Sequence, residues 1–387
     1  MSEDERIGLS EPYLAGNASS YLEECLTTNF VSSVGPFVDR FEQAFAAYVG
    51  SRFAVACASG TAALHVALRL AGVEAGDEVL VPTLTFIASA NPILYQGGTP
   101  VLVDAEPATW NVDPDLVVEE LAQRARTGRR QPKAVEVVHL LGHPADIEPV
   151  AAACERHGVM LIEDAAEALG ARYAGGALHG RHVGTVGKIG CFSFNGNKII
   201  TSGAGGMITT DDEALARRAK HLTTQARMPG IEYRHDEVGY NYRLSNLSAA
   251  LGLSQLEILG EILTRKKEIA ARYDRGLGQV PGLALPPRAS WASPTFWLYT
   301  VDIDPASAGM DRTSAMARLR ERRIEARPIW SPIHTMQPYA GAKVIGGRVA
   351  EAIFARALSL PSSATLTATQ QDRVMSLLVP AATRESA

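Results

Sequence analysis

Between Arg52 and Thr210 the chain alternates short β-branched and apolar runs with longer stretches of helical periodicity. Parallel strands cannot be joined by tight turns and need a crossover, usually a helix, so this alternation predicts a mostly parallel sheet with helices on its faces. The strands are expected at Phe53 to Ala56, Glu78 to Val81, Pro100 to Val103, Ala134 to Val138, Val159 to Ile162, Gly190 to Phe194 and Gly206 to Thr209. Helices are expected between them at Thr61 to Ala71, Ile87 to Tyr95, Asp115 to Arg126, Ile147 to His157 and Asp212 to Thr223. Apolar residues at helical spacing then run from Leu244 to Leu277, which predicts one long helix leaving the large domain. Pro281, Pro286 and Pro287 punctuate the chain after that helix. Beyond them, a strand over Phe296 to Ile303, a helix near Ser314 to Arg322 and a strand near Arg327 read as a smaller α+β domain.

The length of 387 residues exceeds what a single core usually organises, which favours two domains. The expected division is 1–250 for the large α/β domain and 251–387 for the linking helix and small domain. About the first 25 residues are expected to pack on the small domain. With 37 Lys plus Arg against 42 Asp plus Glu, the net charge of -5 gives no electrostatic reason to expect nucleic acid or an anionic membrane as partner. Cys25, Cys57, Cys154 and Cys191 are far apart, and no HExxH pattern occurs, so neither a disulfide framework nor a metal site is suggested. A polar N-terminus, and no uninterrupted apolar stretch of about eighteen residues, point to a cytoplasmic chain, neither secreted nor membrane-spanning.

Three pieces carry chemistry. The run Val159 to Ile162 ends in Glu163-Asp164-Ala165-Ala166-Glu167, which delivers a carboxylate to the rim of the sheet where ligands of open α/β sheets bind. Taken alone, Asp164 is equally well read as a helix cap or an ion-pair partner. The second piece is Phe192-Ser193-Phe194-Asn195-Gly196-Asn197-Lys198, followed by a glycine-rich run to Gly206. An amine on such a loop beside an apolar strand can be desolvated, which lowers its pKa toward the range where it acts as a nucleophile. Lys188 has no comparable apolar frame and reads as a surface lysine. The third piece, Ala58-Ser59-Gly60-Thr61-Ala62, is a small-residue turn into a helix, whose free amides and dipole suit an anion. A phosphate cradle, a carboxylate for a cationic ring nitrogen and a lysine for an aldehyde are together the handles of pyridoxal 5'-phosphate.

The segments SGTAALHVAL (59–68), VPTLTFIASANPILYQGGTPVLVD (81–104), LIEDAAEALGARYAGG (161–176), FSFNGNKIITSGAGGM (192–207), GYNYRLSNLSAALGLSQLE (239–257) and RPIWSPIHTMQPY (327–339) resemble the DegT-type nucleotide-sugar aminotransferases of the aspartate aminotransferase fold. The likeness runs from Ile7 to about Pro380. It implies that Lys198 is the Schiff-base lysine, that Asp164 pairs with the pyridinium nitrogen, and that Gly60, Thr61, Ala62 and Ser193 hold the phosphate. It further implies that Phe86 stacks on the cofactor ring and that Asn241 reaches the phosphate of a neighbouring subunit in a homodimer with shared active sites. Glu167 stands at a further cofactor-side position, and Arg327 and His334 match a stretch near the sugar nucleotide, where a cap or salt-bridge role is the competing reading.

The implied activity is transamination with pyridoxamine 5'-phosphate as the intermediate form of the cofactor and L-glutamate as amino donor, in amino-sugar, polysaccharide or glycan precursor biosynthesis. In detail, TTQARMPGIEYRHDEVGYNYRLSN (223–246) and EARPIWSPIHT (325–335) look most like enzymes acting on a UDP-linked 4-keto-6-deoxy-N-acetylhexosamine. The alternative is a GDP-4-keto-6-deoxymannose aminotransferase, which makes perosamine, or an enzyme of another keto sugar or a cyclitol. A non-catalytic regulatory relative is the reading from a different class, and the presence of both Asp164 and Lys198 weighs against it.

Overall fold

The computed structural model describes residues 5–379. Its strands are β1 (Phe53–Cys57), β2 (Glu78–Pro82), β3 (Thr99–Val103), β4 (Ala134–Val138), β5 (Met160–Asp164), β6 (Arg172–Tyr173), β7 (Ile189–Ser193) and β8 (Gly206–Thr210), then β9 (Leu283–Ala284), β10 (Ala292–Ser293), β11 (Tyr299–Ile303), β12 (Arg327–Pro328), β13 (Lys343–Ile345) and β14 (Ala357–Leu360). Eight of them form one sheet in the order β1-β8-β7-β5-β4-β2-β3-β13. Its pairings from β7 through β5, β4, β2 and β3 to β13 are parallel, whereas β8 is antiparallel to both β7 and β1. The reversal results from the connection: residues 194–205 turn the chain back without a helix, and only an antiparallel neighbour can be reached that way.

A four-stranded antiparallel sheet, β12-β14-β11-β9, forms a second layer. Its core holds Val301, Ile303, Leu358 and Leu360 with Ile269, Tyr273 and Leu277 of the helix Leu259–Leu277. β13 comes after β12 in sequence yet joins the large sheet by pairing with β3. At the other end of the chain Ile7 bridges Ile324 beside the small sheet, while the helix Ala18–Thr27 packs on the helix Asn246–Glu257.

Two expectations need correction. The single helix over Leu244 to Leu277 is two helices, Asn246–Glu257 and Leu259–Leu277, bent by 60°. Ile258 leaves the helical region at φ -101° and ψ 7° because the two halves serve different cores, the first against the helix Pro36–Val49 and the second against the small sheet. Within 87–95 only Asn91–Tyr95 is helical; the preceding residues form a turn that brings Phe86 and Ser89 to the sheet rim. No single helix among the described residues is long and apolar enough to cross a membrane, and the bent pair reaches that composition only when its halves are counted together.

The strand that leads to Lys198 is anchored from behind. Phe37, Phe41 and Phe45 recur every fourth residue on the helix Pro36–Val49, so they share one face, and all three are fully buried. Phe45 meets Phe192 edge-on at 5.0 Å, and Phe41 lies 5.2 Å from Phe194. Aromatic contacts of this geometry add about 0.5–1.5 kcal/mol each beyond area burial, which fixes the stem of the 194–205 loop.

Candidate active site

The carboxyl ends of the parallel strands open into a cavity of about 320 Å3. Asp164 enters it from the end of β5, on the same face as Ile162; the alternation of the strand sends Glu163 to the opposite face. The Asp164 carboxylate accepts hydrogen bonds from Ser89 Oγ at 2.8 Å and from the Ala166 amide at 3.0 Å. Burial pushes its pKa above the ordinary aspartate value, and those two donors work against the rise. Ser89 is in turn 2.9 Å from Thr85 Oγ1, so the turn after β2 supports the carboxylate.

Glu163 organises the ground beneath. It accepts from His139 Nε2 at 2.9 Å and from the amides of Gly184, Val186 and Gly187 at 2.7, 2.6 and 2.6 Å. The Ala145 amide donates to His139 Nδ1, so Nε2 is the ring nitrogen that carries the proton given to Glu163. Burial pushes the Glu163 carboxyl up, but these hydrogen bonds outweigh it and hold the group below its usual value.

Lys198 stands at the end of a turn closed by its own amide on the Asn195 carbonyl at 3.0 Å. Its side chain is only 11% exposed. Nζ lies 3.7 Å from Glu167 Oε1 and 3.9 Å from the centre of the Trp297 ring. Burial lowers the amine's pKa, while Glu167 and then Asp164 oppose the fall. Glu167 accepts from the Leu141 amide at 2.8 Å and from the Trp330 indole at 3.2 Å, and burial drives its carboxyl upward against the pull of Lys198.

At the far wall the helix Gly60–Leu70 presents its first residues to the cavity. A Cβ on Gly60 would lie 2.7 Å from Ser193 Cβ, so glycine is what lets the helix start close on the end of β7. Gly60, Thr61 and Ser193 line the cavity. Ala62 is not among the lining residues, and its amide donates to Ser59 Oγ at 3.1 Å, the helix N-cap. Phe86 is 47% exposed, lines the cavity and faces Trp330 with ring centres 5.0 Å apart.

A second cavity of about 600 Å3 shares Thr85, Phe86, Asn197, Trp297 and Trp330 with the first and is also lined by Ser10 and by Arg327, which is exposed. His334 lines neither cavity; Nδ1 is 2.6 Å from Thr83 Oγ1 and Nε2 is 2.9 Å from Glu351, so both ring nitrogens have partners within the chain. Asn241 is exposed and lies outside both linings.

Ser89, Trp297 and Trp330 are the site residues that sequence reading missed. Ser89 lies within the 81–104 segment, three residues after Phe86, and a helix expected there hid its turn. The two tryptophans arrive from distant chain and have no local pattern. The set fits pyridoxal 5'-phosphate: a cradle without a Cβ at Gly60 beside a hydroxyl, a buried carboxylate with donors on its flank, and a buried amine share one cavity.

Comparison with known proteins agrees. The family model described as the DegT/DnrJ/EryC1/StrS aminotransferase family matches residues 12–379. The chain is 41% identical over 379 residues to the GDP-perosamine synthase of Caulobacter vibrioides, covering 98% of this chain and 99% of that protein. It is 37% identical over 360 residues to the GDP-perosamine synthase of Escherichia coli O157:H7, covering 93% and 94%. Among solved structures, S. venezuelae DesV superposes with a TM-score of 0.83 at 33% identity, covering 94% of this chain and 93% of that one.

Proposed function

The chain belongs to the DegT/DnrJ/EryC1/StrS aminotransferase family and is a pyridoxal 5'-phosphate-dependent sugar aminotransferase, and from that premise we propose that it aminates GDP-4-keto-6-deoxymannose, with L-glutamate as the amino donor. The GDP sugar replaces the UDP-linked hexosamine as the preferred acceptor because relatives named GDP-perosamine synthase align along almost the whole chain. The observation that carries the site assignment is the meeting of Lys198, Asp164, Gly60 and Ser193 in one cavity.

Bound pyridoxal phosphate supplies an electron sink that lets an α-proton leave an amino acid and lets the amino group pass to a ketone. The chain's own residues divide the remaining work. The amides at Gly60 and Thr61 and the Ser193 hydroxyl hold the phosphate at the positive end of a helix. Asp164, ionised and steadied by Ser89 and the Ala166 amide, keeps a proton on the ring nitrogen. Phe86 covers the ring from the turn after β2. The Lys198 amine takes the proton from the α-carbon of the donor, and burial, which lowers its pKa, favours the neutral, basic form that this needs. Glu167 keeps that amine from swinging out. The larger cavity admits the sugar, and the exposed Arg327 on its lining meets the anionic part of the substrate. Asn241, which lies outside this chain's own cavity, serves the site of a second copy in a homodimer.

The test is a half-reaction followed by absorbance. The enzyme is converted with L-glutamate, freed of donor, and offered GDP-4-keto-6-deoxymannose or UDP-4-keto-6-deoxy-N-acetylglucosamine. Return of the original absorbance with the GDP sugar alone is the expected result. Return with the UDP sugar alone overturns the proposed acceptor.

A further inference from the structure

Trp297 is fully buried, yet its ring forms part of the wall of both cavities. Three contacts fix it. Its indole N–H donates to the Asn197 carbonyl at 2.6 Å, its backbone amide donates to the Leu141 carbonyl at 3.1 Å, and its own carbonyl accepts from Lys266 Nζ at 3.0 Å. Leu141 holds a left-handed backbone at φ 54°, unusual for a residue with a Cβ, and gives its amide to Glu167. One strained residue thus ties Trp297 to the carboxylate that stands beside Lys198, and the residue just before Lys198 is tied to the indole itself.

The amine is left with two neighbours of different kinds. Glu167 at 3.7 Å is an ion-pair partner beyond ordinary hydrogen-bond length. The Trp297 face at 3.9 Å favours a cation through the ring quadrupole. A carboxylate can take a proton from an ammonium, but a π face cannot. An aromatic wall therefore holds the charged amine near its working place without competing for the proton it must later give up.

We propose that Trp297 is a positioning residue whose indole face is the resting place of the Lys198 ammonium whenever that amine is not covalently engaged, with the indole N–H fixing the loop so that the amine returns to the same place. The proposal rests on the reading of Lys198 as the reactive lysine. Through it, the second layer of the fold sets the behaviour of an amine carried by the first.

The experiment uses the enzyme loaded with pyridoxamine 5'-phosphate, in which the lysine is free. The pH dependence of Lys198 reductive methylation is read by peptide mass mapping. Trp297→Leu keeps an apolar wall and removes the π face, so the midpoint falls by about 0.5–1 pH unit. Biosynthetic replacement of tryptophan by its mono-, di- and trifluorinated forms keeps the fold and weakens the ring quadrupole, so the midpoint falls stepwise with fluorine content. A midpoint that stays constant across the fluorinated series overturns the proposal even where the leucine variant folds poorly. Failure of the underlying reading shows separately: borohydride reduction of the pyridoxal-loaded enzyme then fixes the cofactor to a lysine other than Lys198, while the titration still decides the contact.

Discussion

Glu167 and Lys198 face each other across 3.7 Å with both side chains largely buried, and each moves the other's proton affinity in the direction opposite to burial. Among the charged groups around Lys198, Glu167 does most to keep its proton on. Glu167→Gln removes that attraction and lets burial act unopposed, so the amine deprotonates at lower pH. The acid limb of the glutamate half-reaction is expected to move down by about one pH unit, read from single-turnover rates across pH.

Ser89→Ala acts with the opposite sign. The hydroxyl donates to the charged form of Asp164, so its loss lets burial raise the carboxyl further. Because the ionised form is the working one, the acid limb moves up in pH, with the rate on the plateau falling by about 10–100-fold, the size of one hydrogen bond to a charged group. Asp164→Asn is expected to cost about 10²-fold or more in the same assay, as the loss of a preorganised charge does elsewhere.

Gly60→Ala tests the phosphate cradle without touching any ionisable group. The added methyl would meet Ser193 at 2.7 Å, and either the helix start or the hydroxyl must move. Cofactor affinity, measured by absorbance titration, is expected to weaken by about 10-fold or more.

The large sheet was legible because each parallel strand announces itself by β-branched apolar residues and each crossover by helical periodicity. Asp164, at the end of β5, and Lys198, on the loop that follows β7, stand out in the sequence for a related reason: beyond each strand the local pattern changes abruptly. β13 was not legible, since Lys343–Ile345 is a short, largely exposed edge whose pairing with β3 depends on the chain returning from the small sheet. The break at Ile258 was hidden by apolar spacing that continues through it. Trp297 and Trp330 reach the site only through the packing of one layer on the other, and the capping of the Ala62 amide by Ser59 is a matter of side-chain geometry.

Glu136 on β4 supplies a stability prediction. Its side chain is 1% exposed, neither carboxyl oxygen has a hydrogen-bond partner, and burial, reinforced by Asp164, pushes its pKa well above the usual value. A carboxyl raised on folding contributes full stability below its unfolded pKa of about 4.3 and loses it as pH rises toward the folded value. Glu136→Met is therefore expected to stabilise the protein by about 1–3 kcal/mol at neutral pH and to flatten the decline in stability above about pH 4.3. Denaturant unfolding at several pH values checks both parts.

Borohydride trapping shows whether Lys198 is the residue that engages the cofactor. The pyridoxal-loaded protein is reduced, digested and mapped by mass. The added cofactor mass is expected on the peptide containing Lys198, and its loss in Lys198→Ala. Cofactor fixed to Lys188 or to any other lysine, or an unchanged trapping yield in the alanine variant, would contradict that assignment.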